Sequence, residues 1–259
     1  MRFTLSHSAR LLLAVGLCFS SEIVSAQSYA ALATAFADAP LVARVRVIRS
    51  QEIKPPPRPD RVRYFVSANV TSLIRAPSPQ PPAVDLLADL PLDSRGKRPK
   101  VNKSDWLISA RPVGGKVQLL APPVPWSTAT ETRVRAITAE ATAAGAPGAV
   151  RRVSGAYYSP GNIPGESETQ IFVDFINGTK GSLSVLRRPN AAPDWHAAFG
   201  EVASDSPPPA RDTLGWFRLA CGLPKVLPEA ALGELDGNAR TAVAADYQFV
   251  LTQLGACDA

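Results

Sequence analysis

Apolar and polar residues alternate with a period of two in several segments of the first half of the chain, a pattern typical of β-strands with one buried face. In PLVARVRVIRS, alanine and valine alternate with arginine from Ala43 to Val47. In RVRYFVSANVTSLI, every second residue from Val62 to Val70 belongs to the apolar face. Three further short segments are strand candidates, and five short strands favour a small barrel or sandwich. The predicted strands cover 40–50, 61–74, 83–90, 105–112 and 116–122.

Two segments around these strands have the character of helices. Residues 29–39 are rich in alanine, and 127–145 begins with Thr128 and Glu131 at the spacing of a capping box. The Ala- and Gly-rich stretch 143–152 is expected to be a linker. The predicted division is therefore a basic β-module with a closing helix at 27–145 and a second module at 146–259.

A tight hairpin is the clearest local feature of the second half. In ETQIFVDFINGTKGSLSVLRR, two strand patterns flank Asn177-Gly178, residues that tolerate the positive φ of a short turn. A third strand is expected at 194–202, and helical periodicity predicts helices at 207–222 and 238–255. The predicted fold class is α+β and mainly β, with a five-stranded OB-like barrel or sandwich followed by a β-hairpin module and two C-terminal helices.

The first 26 residues have the organisation of a secretory signal peptide. Arg2 and Arg10 form a positive segment, the apolar stretch 11–20 follows, and VSA provides small residues at the cleavage positions. Cleavage is expected after Ala26, with the mature chain in the periplasm or secreted. The alternative is lipidation at Cys18, because VGLC resembles a bacterial lipobox. No later segment is apolar enough to predict a transmembrane span in the mature chain.

Cleavage would leave two cysteines, Cys221 and Cys257. Two cysteines in an oxidising compartment most simply form one disulfide. The alternative is a pair of buried free thiols. The wide spacing excludes a CxxC redox motif, so the predicted bond is structural.

Positive charge is concentrated in the first module. Residues 27–111 contain 14 Lys and Arg against 7 Asp and Glu, whereas 112–259 contain 12 against 14. Such a field attracts anions, and an acidic envelope component is the expected partner. Nucleic acid is not expected, since the chain is predicted to be exported and the basic clusters lack interleaved aromatics. The alternative is that these cations are solvated strand faces and loops. The candidate anion-binding residues are Arg44, Arg46, Arg63, Arg95, Lys97, Arg98 and Lys100.

Histidine content limits the chemistry. Once the leader is removed, His196 is the single histidine, which excludes a metal site with two histidine ligands in one chain. No GxSxG nucleophile motif occurs. We therefore expect no metal, no cofactor and no catalytic residue. A hydrolase that uses a carboxylate and a histidine, with Asp174 or His196, is the open alternative.

The leader, the segments GESETQIFVDF, LSVLRRP and WFRLACGLP, and the cysteine near the end together resemble an uncharacterised group of exported proteins of Gram-negative bacteria. The series of N-terminal strands resembles an OB-type barrel such as the netrin-like module of metalloprotease inhibitors. The export resemblance implies a periplasmic location and no particular activity. The expected function is a binding or accessory protein that contacts an acidic envelope partner through its basic module.

Overall fold

A computed structural model describes residues 27–113, 116–200, 206–233 and 235–257. The predicted signal peptide, including Cys18, lies outside these residues. The fold is mainly β, as predicted, with two antiparallel sheets accompanied by five helices in the described part of the chain.

The first sheet contains the five predicted strands and one short addition. Its strands are β1 (Leu41–Ile53), β2 (Arg61–Arg75), β3 (Ala83–Pro91), β4 (Asp105–Val113), β5 (Lys116–Leu119) and β6 (Val124–Pro125). They follow the order β3-β2-β1-β4-β5, with β6 paired to β4. The sheet curls until Cα atoms of its two edge strands lie within 8 Å, yet their described residues form no hydrogen-bonded ladder. The module is therefore an open, OB-like sandwich rather than a closed barrel.

Alternating positions of β1 and β2 face the interior of the curled sheet, which confirms the faces predicted for these two strands, whereas β4 is buried at five consecutive positions. Val45 and Val47 of β1, Val66 of β2 and Leu86 of β3 are at most 2% exposed. They pack in one cluster with Ile108 of β4. The β1–β2 pairing continues to Ile53 opposite Arg63, so the hairpin extends beyond the predicted end of β1.

The second sheet is a four-stranded meander. It consists of β7 (Val150–Pro160), β8 (Ser167–Phe175), β9 (Lys180–Arg187) and β10 (Asp194–Phe199), in the order β10-β9-β8-β7. The predicted β8–β9 hairpin is confirmed, because Gly178 has a φ of 86° and its N–H donates to the Phe175 carbonyl at 3.1 Å. Strand β7 was not predicted, and its start lies in the stretch that was expected to be a linker. Register shifts near residues 150–155 interrupt the period of two that identified the other strands.

The helices are α1 (Tyr29–Phe36), α2 (Thr128–Thr142), α3 (Leu214–Gly222), α4 (Glu229–Leu232) and α5 (Gly237–Leu254). Helix α3 begins later than predicted because the prolines at 207–209 lie outside the helix and Thr213 provides the N-cap. The side chain of Ser127, rather than Thr128, caps α2 by accepting a hydrogen bond from the Thr130 N–H at 3.1 Å. No helix of the described chain combines the length and hydropathy needed to cross a membrane.

A second core lies between the inner face of the second sheet and the helices. It contains residues of α1, α2, α3 and α5 together with Val42 and Leu107 of the first sheet. Two arginines connect these layers. Arg75 of β2 donates to carbonyl groups at the end of α1 and in α2, and Arg218 of α3 pairs with Asp38 after α1. The predicted domain boundary at 145/146 stays a prediction.

The two cysteines form the predicted disulfide, with a Cα–Cα distance of 5.1 Å between Cys221 and Cys257. The bond connects α3 to the segment that follows α5. A hydrogen bond supports the same junction, because the Trp216 indole N–H donates to the Leu254 carbonyl at 2.8 Å.

Candidate functional site

One end of the first sheet collects two basic segments that are well separated in sequence. The tip of the β1–β2 hairpin, residues 49–61, lies against the loop 92–104, and we call these two segments the basic end. The Leu92 N–H donates to the Asp60 carbonyl at 2.9 Å, and the Ser50 hydroxyl donates to the Asn102 side chain at 2.9 Å. The antiparallel pairing of β2 and β3 explains why the two segments meet. Strand β3 ends beside the start of β2, so the loop 92–104 begins next to the tip of the β1–β2 hairpin.

The basic end contains nine Lys and Arg residues against three carboxylates. Two of its three carboxylates already have partners within the basic end. Glu52 pairs with Arg98 at 3.1 Å, and Asp93 Oδ1 accepts the backbone N–H groups of Arg95 and Lys97, both at 2.8 Å. This turn shapes the loop and leaves both of those cationic side chains exposed. Eight cations of the basic end have no carboxylate within ion-pair distance in the described part of the chain, namely Arg49, Lys54, Arg58, Arg61, Arg95, Lys97, Lys100 and Lys103.

The other predicted anion-binding residues lie on the strands and are held by carboxylates. Arg46 forms an ion pair of 2.7 Å with Asp105. Arg44 lies 3.6 Å from the same carboxylate, and its guanidinium lies 3.6 Å from the centroid of the Trp126 ring. The carboxylate neutralises one of the two positive charges, and these contacts fix both arginines against the sheet, so the pair is poorly placed to receive a further anion.

Arg63 is neutralised in a similar way. Its Nε and Nη2 atoms donate to the two oxygens of Asp89, both at 2.7 Å. This bidentate hydrogen bonding lowers the pKa of Asp89 and raises the pKa of Arg63. Of the seven predicted residues, the structure thus gathers four in the basic end, which are Arg95, Lys97, Arg98 and Lys100.

Asp174, one candidate of the hydrolase alternative, is clamped between two cations. Lys180 Nζ donates to one carboxylate oxygen at 2.7 Å, and Arg152 Nε donates to the other at 2.8 Å. The hydrogen bond from Lys180, followed by that from Arg152, lowers the pKa of Asp174 to about 2. The carboxyl group is therefore ionised at neutral pH and is unsuited to donate a proton.

His196, the other candidate, lies in a different part of the same sheet. Its Nε2 atom is 3.3 Å from the carboxylate of Asp194, which shares its face of β10. Along the intervening strand β9, His196 is opposite Ser184, whereas Asp174 is opposite Lys180. Two strand spacings and four residues along the strand separate the two candidates by about 16 Å. The sheet does not bring them together in one site.

No protein-family model matches the chain, and the search of curated proteins finds no match. The matching solved structures include one described as p202 HIN1 in complex with 12-mer dsDNA, with 11% sequence identity, 63% of this chain and 94% of that chain covered, and a TM-score of 0.22. A TM-score this low carries no argument about the fold or ligand of the present chain. The resemblance to exported Gram-negative proteins stays a prediction.

Proposed function

We propose that the chain is an exported, periplasmic binding protein that contacts an acidic envelope partner through its basic end. The convergence of residues 49–61 and 92–104 is the observation on which this proposal rests, because it combines nine cations with three carboxylates on one surface. A dense field of one sign raises the local concentration of a polyanion and accelerates its association.

The composition of the basic end favours recognition of charge rather than of bases. Neither segment contains an aromatic residue, so the surface offers no ring on which a nucleobase could stack. Exposed lysine and arginine side chains suit phosphate or carboxylate groups repeated along a polymer. The disulfide between Cys221 and Cys257 is consistent with an oxidising compartment. We therefore favour a phosphate-rich or carboxylate-rich polymer of the cell envelope as the partner.

The test compares two triple variants with the same change in net charge. In the first, Arg95→Gln, Lys97→Gln and Lys100→Gln neutralise the basic end. In the second, three exposed cations outside it are neutralised by Arg151→Gln, Arg188→Gln and Lys225→Gln. Binding of long-chain polyphosphate is measured by calorimetry at increasing NaCl concentration, with single-stranded DNA at equal phosphate concentration as a second titrant.

Wild-type affinity for polyphosphate should fall steeply with salt, since exposed charges are screened over about 10 Å at 0.1 M ionic strength. The basic-end variant should lose about tenfold in affinity at low salt, if each lost charge contact contributes about 0.5 kcal/mol. The matched control should change much less. Equal losses in both variants, or an affinity indifferent to salt, would refute the assignment of the site. Tighter binding of DNA than of polyphosphate would refute the envelope partner.

A further inference from the structure

A continuous groove runs along the seam where β3 and β5 approach each other without pairing. It consists of three adjoining cavities of about 390, 580 and 210 Å³. Lys116 and Val117 line both the first and the second cavity, and Leu87 and Leu119 line both the second and the third. The central volume alone is within the range of about 300–1,000 Å³ that is usual for ligand sites.

The groove exposes large apolar side chains to solvent. Leu87, Val113 and Leu120 line it and are 51%, 50% and 48% exposed, respectively. Phe65 adds an aromatic ring to the wall of the central cavity. Apolar side chains concentrated along one groove mark a surface that gains free energy when an apolar ligand covers it.

The width of the seam argues against an added β-strand as the ligand. A strand inserted between β3 and β5 would pair with both and would place them about 9.6 Å apart. Their Cα atoms already come within 8 Å of each other. The occupant must therefore lie over the seam and contact side chains, as a flexible apolar chain can do without backbone pairing.

One end of the groove opens on the basic end. Arg61 lines the third cavity together with Leu120. It belongs to the hairpin tip, where its backbone N–H donates to the Arg58 backbone carbonyl at 3.2 Å. Asp89 also lines this cavity, but its carboxylate is already paired with Arg63. Apolar surface thus passes directly into cationic surface at this point.

We infer that the groove binds the acyl chain of an anionic amphiphile whose head group contacts the cations of the basic end. This inference rests on the proposed function, because the head group uses the same cations as the acidic partner. It adds a ligand class: a single apolar chain that carries a phosphate or another compact anion at one end. Arg61 is the residue at which the chain and the head group meet.

The test measures binding of dodecyl phosphate, below its micelle concentration, by calorimetry to the full mature protein. Ethyl phosphate has a similar head group without the chain, and dodecyl maltoside has the chain without the charge. Leu87→Gln makes the groove polar at an exposed position, and Leu73→Gln is the matched control, because Leu73 is 44% exposed and does not line the groove. Thermal melting confirms that both variants are folded.

Dodecyl phosphate should bind with 1:1 stoichiometry and at least about tenfold more tightly than either partial ligand, since several methylene groups leave water. Leu87→Gln should weaken this binding about fivefold, and Leu73→Gln should leave it unchanged. Binding of polyphosphate should be the same in both variants. Equal affinity for ethyl phosphate or dodecyl maltoside, or indifference to Leu87→Gln, overturns the inference. If polyphosphate still binds in that case, the proposed function stands and only the groove ligand is wrong.

Discussion

Removal of the disulfide should destabilise the protein by an amount that follows from its position in the chain. Cys221 and Cys257 are separated by 36 residues, so the bond closes a loop that includes α4 and α5. In the chain-entropy model, opening a loop of this length returns about 13 cal/mol/K to the unfolded chain, or about 4 kcal/mol at 25 °C. The double variant Cys221→Ala/Cys257→Ala removes the bond without leaving a thiol.

Guanidinium unfolding of the oxidised protein, the reduced protein and the double variant measures this contribution. With a denaturant slope of about 4 kcal/mol/M, the unfolding midpoint should fall by about 1 M in both the reduced protein and the variant. The reductant should not affect the variant, which controls for other effects of the reagent. The Trp216–Leu254 hydrogen bond does not depend on the cysteines, so the native helices should persist in the variant.

A midpoint that is unchanged on reduction would refute this reasoning, because it would mean that the bond does not restrict the unfolded chain. Thiol titration of the purified, unreduced protein provides a second check. The structure predicts no reactive thiol at either cysteine in the mature chain. Two titratable thiols would contradict the disulfide itself.

Two further predictions concern buried or clamped carboxylates. Asp246 is 1% exposed and accepts hydrogen bonds from Thr169 at 2.5 Å and Arg187 at 2.6 Å. In urea titrations, Asp246→Ala should therefore reduce the free energy of unfolding by about 3 kcal/mol. A loss below about 1 kcal/mol would contradict the buried network. The pKa of Asp174, lowered from 3.8 to about 2 chiefly by Lys180, predicts a stabilising contribution that is complete above about pH 4 and lost as the pH falls through 2. In thermal melts at pH 7, 4, 3 and 2, the difference in melting temperature between wild type and Asp174→Asn should therefore shrink towards pH 2. A difference that stays constant would show that Lys180 and Arg152 do not lower the pKa of Asp174.

Local pattern predicted much of the secondary structure and the faces of the strands. Alternation identified β1 and β2 because burial of one face of a strand imposes a period of two on consecutive residues. Asn177-Gly178 located the β8–β9 turn because the requirement for positive φ is a property of the turn residues themselves. Strand β7 was not predicted because its bulges interrupt the period of two at the start of the strand.

The candidate site was only partly accessible from the sequence. The distribution of charge along the sequence located the basic module, but it did not distinguish among the seven candidate residues. The structure separates them by what lies on the neighbouring strand: Asp105 holds Arg44 and Arg46, and Asp89 holds Arg63. These ion pairs join residues 26 to 61 positions apart. They depend on strand order and register, which a local sequence pattern does not specify.

By itself, the amino-acid sequence determined the mainly β class, the buried faces of β1 and β2 and the β8–β9 turn, and it predicted the disulfide. The first three follow from neighbouring residues, whereas the disulfide followed from the predicted removal of Cys18, which leaves two cysteines. Only the tertiary structure decided that residues 49–61 meet the loop 92–104, that the β3–β5 seam stays open, and that α1 and α2 pack into the second core. Those features arise when segments distant in the chain bury apolar surface together, and the free energy of that burial belongs to the assembled layers rather than to any one segment.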